Sequence, residues 1–290
     1  MRISGETKVC ALIGYPVEHS LSPCFQNAAF QHLGLNFVYV VFPVKASELG
    51  DAIRGVRSLG FYGLNVTMPH KITVIKHLDE LDDTAEKVGS VNTILNKNGR
   101  LIGYTTDGIG AVNALKYNGV ELYGRKIVIL GAGGASRAIS FTLAEEAGEI
   151  VILNRTVAKA ERLASDIHRL ISRSVKIRWG GLTEKNLREE LKDADILINA
   201  TPVGMMPNID ETPVKKDYLH SDMTVFDLIY HPLETRLLRE ARNVGAKTIN
   251  GLDMLIHQGA ASFKIWTGID PPINVMMRAA EEELKRRGEI

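Results

Sequence analysis

Short apolar runs alternate with amphipathic stretches along the first hundred residues of the chain. Three of these runs are predicted strands, at Val9–Ile13, Phe37–Phe42 and Leu64–Met68. The stretches between them, Pro23–Leu33 and Ser47–Leu59, have the spacing of amphipathic helices. Such alternation is typical of parallel βαβ units, so we expect a mostly parallel first sheet.

A turn-rich tetrapeptide, Asn96-Lys97-Asn98-Gly99, separates two further apolar runs. These runs are Val91–Leu95 and Arg100–Tyr104, and the pattern predicts a β-hairpin. The hairpin closes the first sheet.

A second alternation follows a helix that is predicted from Asp107 to about Tyr117. Its six apolar runs are Ile127–Leu130, Ile150–Leu153, Val175–Trp179, Ile196–Asn199, Val225–Leu228 and Lys247–Ile249. Six strands suit a doubly wound sheet. Beyond Gly251 the pattern is helical, over Leu252–Trp266 and Ile273–Arg287. We therefore predict an α/β protein with two domains. One is an N-terminal α/β domain, residues 1–105, and the other is a Rossmann-type doubly wound parallel-sheet domain at 106–251.

Composition narrows the classes of partner. The 290 residues include 35 Lys and Arg against 34 Asp and Glu, so the chain lacks the positive excess that draws proteins to nucleic acid or acidic membranes. A small-molecule partner is expected instead, and a homodimer is the candidate oligomer. Neither the segment Met1–Lys8 nor any later run has the length of apolar sequence that a signal peptide or membrane span needs, which predicts a soluble, cytoplasmic protein. The two cysteines have neither disulfide nor zinc-site spacing, and no metal is expected.

A glycine-rich turn stands between an apolar strand and a helix. Gly131-Ala132-Gly133-Gly134-Ala135-Ser136 follows Lys126–Leu130 and precedes the predicted helix Arg137–Ala147. Gly131 permits a tight turn, Gly133 lets the backbone approach a pyrophosphate, and the helix start offers unpaired N–H donors. Ser136 replaces the usual third glycine and is small enough for the same packing. A dinucleotide site is predicted, the alternative being an ordinary strand-to-helix turn.

The next strand ends in Asn154, Arg155 and Thr156, without the carboxylate that usually binds the ribose hydroxyls of NAD. Arg155 can instead pair with a 2′-phosphate, and Asn154, Thr156 and Lys159 add donors. The pattern favours NADP over NAD. The alternative is a solvated helix start, although cations there oppose the helix dipole.

Polar residues in the first domain are candidates for substrate chemistry. Asn65 and Thr67 lie on one face at the end of a predicted strand, before a Pro-started helix that carries Lys71. Ser22 before Pro23 is a predicted N-cap, and with Ser20 it makes an anion site of carboxylate size. Asp107 has the position of an N-cap for the following helix. Taken singly, each of these residues has an ordinary structural interpretation.

Their order along the chain resembles the shikimate dehydrogenase family. The matching motifs are Ser20-Leu-Ser-Pro23, Asn65-Val-Thr-Met-Pro-His-Lys71, Val91-Asn-Thr93, Tyr104-Thr-Thr-Asp-Gly108, Gly131-Ala-Gly-Gly-Ala135, Asn154-Arg-Thr156 and Gly251-Leu-Asp-Met-Leu255 with Gln258. The resemblance covers nearly the whole chain, and it implies that the C-terminal helices at 252–290 complete the N-terminal domain as the substrate-binding catalytic domain. It implies NADPH-dependent, reversible reduction of 3-dehydroshikimate to shikimate in aromatic amino-acid (chorismate) biosynthesis.

The resemblance also assigns roles to the matching positions. It implies that Ser20 and Ser22 hold the substrate carboxylate with Tyr230, that Lys71 and Asp107 are the catalytic pair, and that Leu228 and Gly251 line the nicotinamide side. The residues implied for the ring hydroxyls are Asn65, Thr67, Asn92, Asp107 and Gln258. Asp83 stands where the family often has Glu near the nicotinamide.

Two other functions stay open from the sequence. One is a quinate/shikimate dehydrogenase of broader specificity, and the other is a non-catalytic NADP-binding sensor. A different two-domain NADP enzyme, such as a folate-linked dehydrogenase, could share the turn at Gly131 but would not need the serine pair, Lys71 and Asp107 together. We expect Lys71 and Asp107 to exchange a proton with the substrate hydroxyl and Lys71 to polarise the ketone in the reducing direction.

Overall fold

The computed structural model describes residues 3–171, 173 and 175–289, so Met1 and Arg2 of the predicted N-terminal segment and Ile290 of the C-terminal one lie outside the described residues. The chain divides into two compact units. The N-terminal unit comprises the residues up to Thr106 together with Ile256–Gly288. The central unit comprises Asp107–Leu255.

The N-terminal unit is built on a mixed six-stranded sheet. Its strands are β1 Lys8–Gly14, β2 Phe37–Pro43, β3 Gly63–Val66, β4 Glu80–Leu81, β5 Thr93–Lys97 and β6 Arg100–Tyr104. The first helices are α1 Ser22–His32, α2 Leu49–Ser58 and α3 Asp83–Val88, with 3-10 turns at Ala46–Glu48 and Thr73–His77. The strand order is β2-β1-β3-β5-β6-β4, in which β1 pairs in parallel with β2 and β3 while β5 runs antiparallel to β3 and β6. The parallel start and the hairpin agree with the prediction, whereas β4 and α3 are short, polar and were not predicted.

The hairpin turn is tighter than its sequence indicates. Lys97 pairs with Arg100, which leaves only Asn98 and Gly99 in the turn. Both have positive φ, at 55° and 88°, as the two central residues of a type I′ turn require. Asn96 supports the turn by accepting a hydrogen bond from the Gly99 N–H at 2.8 Å.

The predicted helix at Pro69 does not form. Strand β3 ends at Val66, and turns lead to the 3-10 helix Thr73–His77. The carbonyl of Lys71 accepts from the N–H of Val91 at 2.8 Å, so it is used between segments instead of within a helix. His70, which is buried, anchors the same loop through a 2.7 Å hydrogen bond between Nε2 and the carbonyl of Val44. Lys71 therefore lies on a fixed loop.

The central unit is a doubly wound parallel sheet, as predicted. Its strands are β7 Lys126–Leu130, β8 Glu149–Asn154, β9 Lys176–Gly181, β10 Ile196–Asn199, β11 Thr224–Asp227 and β12 Lys247–Ile249. Its helices are α4 Asp107–Tyr117, α5 Gly134–Leu143, α6 Val157–Leu170, α7 Glu184–Leu191 and α8 Arg236–Asn243, with a 3-10 turn at Lys216–Tyr218. The strand order is β12-β11-β10-β7-β8-β9, so the winding reverses between β7 and β10. This crevice is where such sheets bind ligands.

Two C-terminal helices, α9 Gly251–Thr267 and α10 Ile273–Arg287, follow β12. Helix α10 packs against α1 in the N-terminal unit. In α9, Trp266 donates from Nε1 to the carbonyl of Ile94 at 3.0 Å. A Cβ on Gly63 would lie 2.3 Å from the Trp266 Nε1, so only glycine fits there. Among the described residues, no helix is long and apolar enough to cross a membrane.

Candidate active site

The serine pair at the start of α1 is arranged differently from the prediction. Leu21 occupies the N-cap position, Ser22 is the first helical residue, and no side chain caps the helix, so the predicted N-cap role of Ser22 is wrong. Instead, Ser20 Oγ accepts a 3.2 Å hydrogen bond from the Ser22 N–H. Since that oxygen already accepts, the Ser20 hydroxyl proton can be donated to an anion.

Asn65, on the buried strand β3, is surrounded by partners from three other segments. Its Nδ2 lies 3.0 Å from the Asn92 carbonyl, 3.1 Å from Thr93 Oγ1 and 3.0 Å from Ser262 Oγ. Its Oδ1 accepts from the Tyr39 hydroxyl at 2.8 Å. With three acceptors for two amide protons, only an Oδ1 lone pair remains through which Asn65 can bind a ligand hydroxyl.

Asn92 and Gln258 form a second part of the same cluster. Asn92 Oδ1 accepts from the backbone N–H of Thr106 at 2.8 Å, and its Nδ2 donates to Thr106 Oγ1 at 2.9 Å and to Gln258 Oε1 at 3.2 Å. Gln258 Oε1 thus faces Asn92, so the Gln258 Nε2 donors point in other directions. We call the side chains of Tyr39, Asn65, Asn92, Thr93, Thr106, Gln258 and Ser262 the polar cluster of the N-terminal unit.

Thr67 and Lys71 follow β3 in the same unit. The Thr67 N–H donates to the carbonyl of Ile13 at 2.9 Å, which extends the strand pairing by one step. A Cβ on Gly14 would lie 2.3 Å from the Thr67 methyl carbon, so the methyl packs on Gly14 and the hydroxyl points elsewhere. Lys71 is half-buried on the loop fixed by His70.

The two carboxylates predicted beside the reacting atoms lie in different units. Asp83 is exposed and is the first residue of α3. The N-cap of this helix is the neighbouring Asp82, whose carboxylate accepts from the Ala85 N–H at 2.9 Å. Asp107 is buried and is the first helical residue of α4 in the central unit. It therefore lies one position inside the helix and not at the N-cap, where it was predicted.

The glycine-rich turn in the central unit joins β7 to α5. Gly131 has φ +106°, and a Cβ there would lie 2.9 Å from the carbonyl oxygen of Ala200, so glycine is required. Ser136 is fully buried and donates from Oγ to the Gly131 carbonyl at 2.7 Å, which ties the turn to the helix. Gly133 is the N-cap of α5, and no side chain caps the helix. The amides of Gly134 and Ala135 at this end suit a phosphate.

The segment after β8 offers cations at a second uncapped helix start. Thr156 is the N-cap of α6 without a side-chain hydrogen bond, and Asn154 Nδ2 donates to the Thr156 carbonyl at 2.9 Å. Arg155 and Lys159 are exposed, and their side chains make neither an ion pair nor a hydrogen bond with other described residues. Two unpaired cations beside an uncapped α6 fit an anionic group.

A buried carboxylate organises the end of β11. Asp227 accepts from Thr235 Oγ1 at 2.6 Å, from Asn199 Nδ2 at 3.0 Å and from the Ile229 N–H at 3.2 Å. Burial raises the pKa of Asp227 to about 6, although the three hydrogen bonds lower it. The network fixes the backbone just before Tyr230.

Gly251 closes on the same segment. A Cβ there would lie 2.2 Å from the carbonyl oxygen of Leu228, and the Gly251 N–H donates to the Ile229 carbonyl at 3.0 Å. Leu228 itself is half-buried, and Tyr230 is 37% exposed. The structure thus brings Leu228 and Gly251 together, as their shared predicted role requires.

Several members of these networks were missed from the sequence. Thr93 could have been found, because it directly follows the predicted site residue Asn92. Ser262 was harder to find, because its only indication is its position one helical turn beyond Gln258. Tyr39 had none, since it has the pattern of a core strand residue. The two cysteines carry no chemistry of this kind: burial raises the pKa of the Cys24 thiol to about 11 and that of Cys10 further, so neither is a thiolate at neutral pH.

Comparisons with known proteins agree in one family. Residues 12–94 match the shikimate dehydrogenase substrate binding domain, residues 113–230 match the shikimate / quinate 5-dehydrogenase family, and residues 251–281 match the shikimate 5'-dehydrogenase C-terminal domain. A shikimate dehydrogenase (NADP(+)) of Methanocaldococcus jannaschii is 51% identical over 287 residues, which cover 98% of this chain and 100% of the relative.

Solved structures give the same result. A shikimate dehydrogenase in complex with NADP+ is 52% identical, with a TM-score of 0.91 and 97% of both chains covered. A shikimate 5-dehydrogenase from Listeria monocytogenes in complex with shikimate and NAD is 40% identical, with a TM-score of 0.90 and 98% of both chains covered. At these identities and coverages, the chain belongs to the shikimate dehydrogenase family.

Proposed function

We propose that this chain catalyses the reversible, NADP-linked interconversion of 3-dehydroshikimate and shikimate, a step of aromatic amino-acid biosynthesis. The observation that carries the proposal is the polar cluster, which brings together Asn65, Asn92 and Gln258 from distant parts of the sequence. Amides held at fixed orientations suit a small molecule with several hydroxyl groups, because each can accept from or donate to one of them.

Substrate binding is proposed to divide between two groups of residues. Ser20 and Ser22 bind the carboxylate through hydroxyl donors, with Tyr230 contributing from the segment after β11. The proposed ligands of the ring hydroxyls are Asn65, Thr67, Asn92, Asp107 and Gln258. Hydroxyl donors avoid the desolvation cost of burying an unpaired cation.

Lys71 and Asp107 are the proposed catalytic pair. In the oxidising direction the substrate carbon loses a hydride and its hydroxyl loses a proton, and Lys71 with Asp107 takes that proton. In the reducing direction Lys71 polarises the ketone and the pair returns the proton to the oxygen. Bound NADP supplies the hydride acceptor or donor.

The proposed cofactor site uses both uncapped helix starts of the central unit. Gly131, Ala132, Gly133, Gly134 and Ala135 would hold the pyrophosphate at α5, and Asn154, Arg155, Thr156 and Lys159 would hold the 2′-phosphate at α6. Leu228 and Gly251 would line the nicotinamide side, with Asp83 as a further contact. The fit is supported by Arg155, which makes no ion pair with other described residues, and by Gly131 and Gly251, where a Cβ would meet backbone atoms.

The test is product formation by the purified chain with shikimate and NADP+. We expect NADPH to accumulate together with an equal amount of 3-dehydroshikimate, and none in reactions that lack shikimate. Binding of NADP+ without turnover of shikimate would contradict the proposal and favour the non-catalytic sensor. Turnover of quinate at a similar rate would favour the enzyme of broader specificity.

A further inference from the structure

Two backbone groups set the orientation of two amides in the polar cluster, those of Asn92 and Asn65. The Thr106 N–H can only donate, so the atom of Asn92 that faces it at 2.8 Å is the oxygen. The Asn92 carbonyl can only accept, so the atom of Asn65 that faces it at 3.0 Å is the nitrogen. Each amide therefore has one preferred orientation before any ligand binds.

Three further side chains hold Asn65 in that orientation. The Tyr39 hydroxyl must donate to Asn65 Oδ1, because an amide oxygen cannot donate. Thr93 Oγ1 and Ser262 Oγ both accept from Asn65 Nδ2, and they lie 2.8 Å from each other. Tyr39 is 2% exposed, while Thr93 and Ser262 are fully buried, so water does not replace these partners.

Ser262 also connects Asn65 to the helix that carries Gln258. Its hydroxyl donates to the backbone carbonyl of Gln258, one turn earlier in α9, at 3.1 Å. The same hydroxyl lies 3.0 Å from Asn65 Nδ2 on β3 and 2.8 Å from Thr93 Oγ1 on β5. Ser262 can therefore keep the spacing between Asn65 and this turn of α9 fixed.

We infer that Tyr39, Thr93 and Ser262 are positioning residues for substrate binding, which they support by fixing the amide of Asn65 and, through Ser262, the turn of α9 that carries Gln258. The substrate in question is the one in the proposed function, on which this inference rests. If a partner is lost, the Asn65 amide is held by fewer hydrogen bonds, so its oxygen is placed less firmly as the acceptor for a ligand hydroxyl. Such a change weakens binding of the hydroxylated ring and leaves the dinucleotide site untouched.

One test needs no substrate. In the ligand-free protein, NMR hydrogen exchange of the Asn65 side-chain amide should be slow, because its protons are buried and bonded. We expect exchange to become faster, on the order of tenfold, in Tyr39→Phe and in Ser262→Ala. Unchanged exchange in both variants would overturn the inference whether or not the chain oxidises shikimate.

The second test is kinetic. We expect Tyr39→Phe, Thr93→Val and Ser262→Ala to raise the KM for shikimate on the order of tenfold while the KM for NADP+ stays unchanged. Thr93→Ser keeps the hydroxyl and should restore a KM near the original. Equal increases in both KM values, together with a lowered melting temperature, would show a general structural role and overturn the inference.

Matched controls separate the loss of a bonded hydroxyl from the loss of any hydroxyl. Tyr62→Phe removes a phenol outside the polar cluster, and Ser140→Ala removes a buried hydroxyl that makes no hydrogen bond with the described residues. Both should leave the KM for shikimate and the Asn65 exchange rate unchanged. A raised KM with unchanged Asn65 exchange would also overturn the inference, because the hydroxyls would then act by another route.

Discussion

A single hydrogen bond can decide what a residue offers to a ligand. Asn65 has a side chain able to donate twice, yet its Nδ2 faces three acceptors within the protein. Its remaining capacity is that of an acceptor. Ser20 shows the opposite case, because its oxygen accepts from the Ser22 N–H and its proton is left to donate. Sequence alone could not predict the Asn65 case, since its hydrogen-bond directions depend on residues 27 to 197 positions away in the chain.

Lys71 gives the sharpest prediction for one residue. We expect Lys71→Ala to lower kcat by about 10² to 10⁴, the range for loss of a general acid–base group, while the KM for shikimate changes little. The measurement is steady-state oxidation of shikimate by both proteins. Lys76→Ala, at an exposed lysine of the next 3-10 helix, is the control and should behave like the original protein. Near-normal turnover by Lys71→Ala would remove Lys71 from catalysis.

Arg155 gives a prediction on cofactor choice. Loss of a charge-assisted contact to a phosphate costs about 1.5–3 kcal/mol, so Arg155→Ala should raise the KM for NADP+ by about 10- to 100-fold. The KM for NAD+, which lacks the 2′-phosphate, should hardly move. Arg162→Ala removes an exposed arginine from the same helix and serves as the control. Equal increases in both KM values would contradict contact with the 2′-phosphate.

Among the elements of both sheets, the strands other than β4 could be predicted from the sequence, and the loops that follow them could be predicted only in part. The glycine pattern after Leu130 indicated the turn correctly. The turn depends on the positive φ of Gly131, and the glycines that allow it are adjacent in the sequence. The fold of the Lys71 loop could not be predicted, since the Lys71 carbonyl pairs with Val91 and the His70 ring with Val44. Local propensity favoured a helix, and these longer-range hydrogen bonds overrode it.

The Asp227 network at the end of β11 gives a pH-dependent prediction. The folded pKa of about 6 lies above the ordinary value of 3.8, so the folded state prefers the protonated acid. The resulting stabilisation is fully present below about pH 4 and is lost as the pH rises through about 6. A difference of this size corresponds to about 3 kcal/mol. Asp227→Asn mimics the protonated acid and does not titrate, so it should gain stability relative to the original protein over this range.

Urea unfolding of both proteins at pH 4 and pH 7.5 measures the effect. The free energy of unfolding of Asp227→Asn, relative to the original, should rise by up to about 3 kcal/mol between the two values. Asp222→Asn, at an exposed aspartate before β11, is the control. Its free energy of unfolding should differ from that of the original protein by the same amount at both pH values. A constant difference for Asp227→Asn as well would contradict a raised pKa in the folded state.

At the scale of the whole molecule, chain order and spatial order differ. Helix α10 comes last in the sequence but packs on α1, and Arg287 donates to the carbonyl of His19, 268 positions earlier, at 2.8 Å. Periodicity indicated the helix, and the family resemblance indicated where it belongs. The functional assignment of the two units, one to substrate and one to NADP, stays a prediction.

Packing of α10 can be tested with one leucine. Leu284 is 1% exposed on this helix, so Leu284→Ala should lower the free energy of unfolding by about 2–5 kcal/mol. Leu59→Ala, at a side chain that is 74% exposed, should change it by less than about 0.5 kcal/mol. Equal effects of the two substitutions in urea unfolding would contradict a buried position for Leu284.

The site and the family membership together make this chain an NADP-linked dehydrogenase of shikimate. The most direct test of this function is kcat/KM for the four combinations of shikimate or quinate with NADP+ or NAD+. We predict the highest value for shikimate with NADP+, because Arg155 and Lys159 favour the 2′-phosphate and the polar cluster with the serine pair favours shikimate. A higher value for quinate or for NAD+, or no turnover with any combination, would contradict this function.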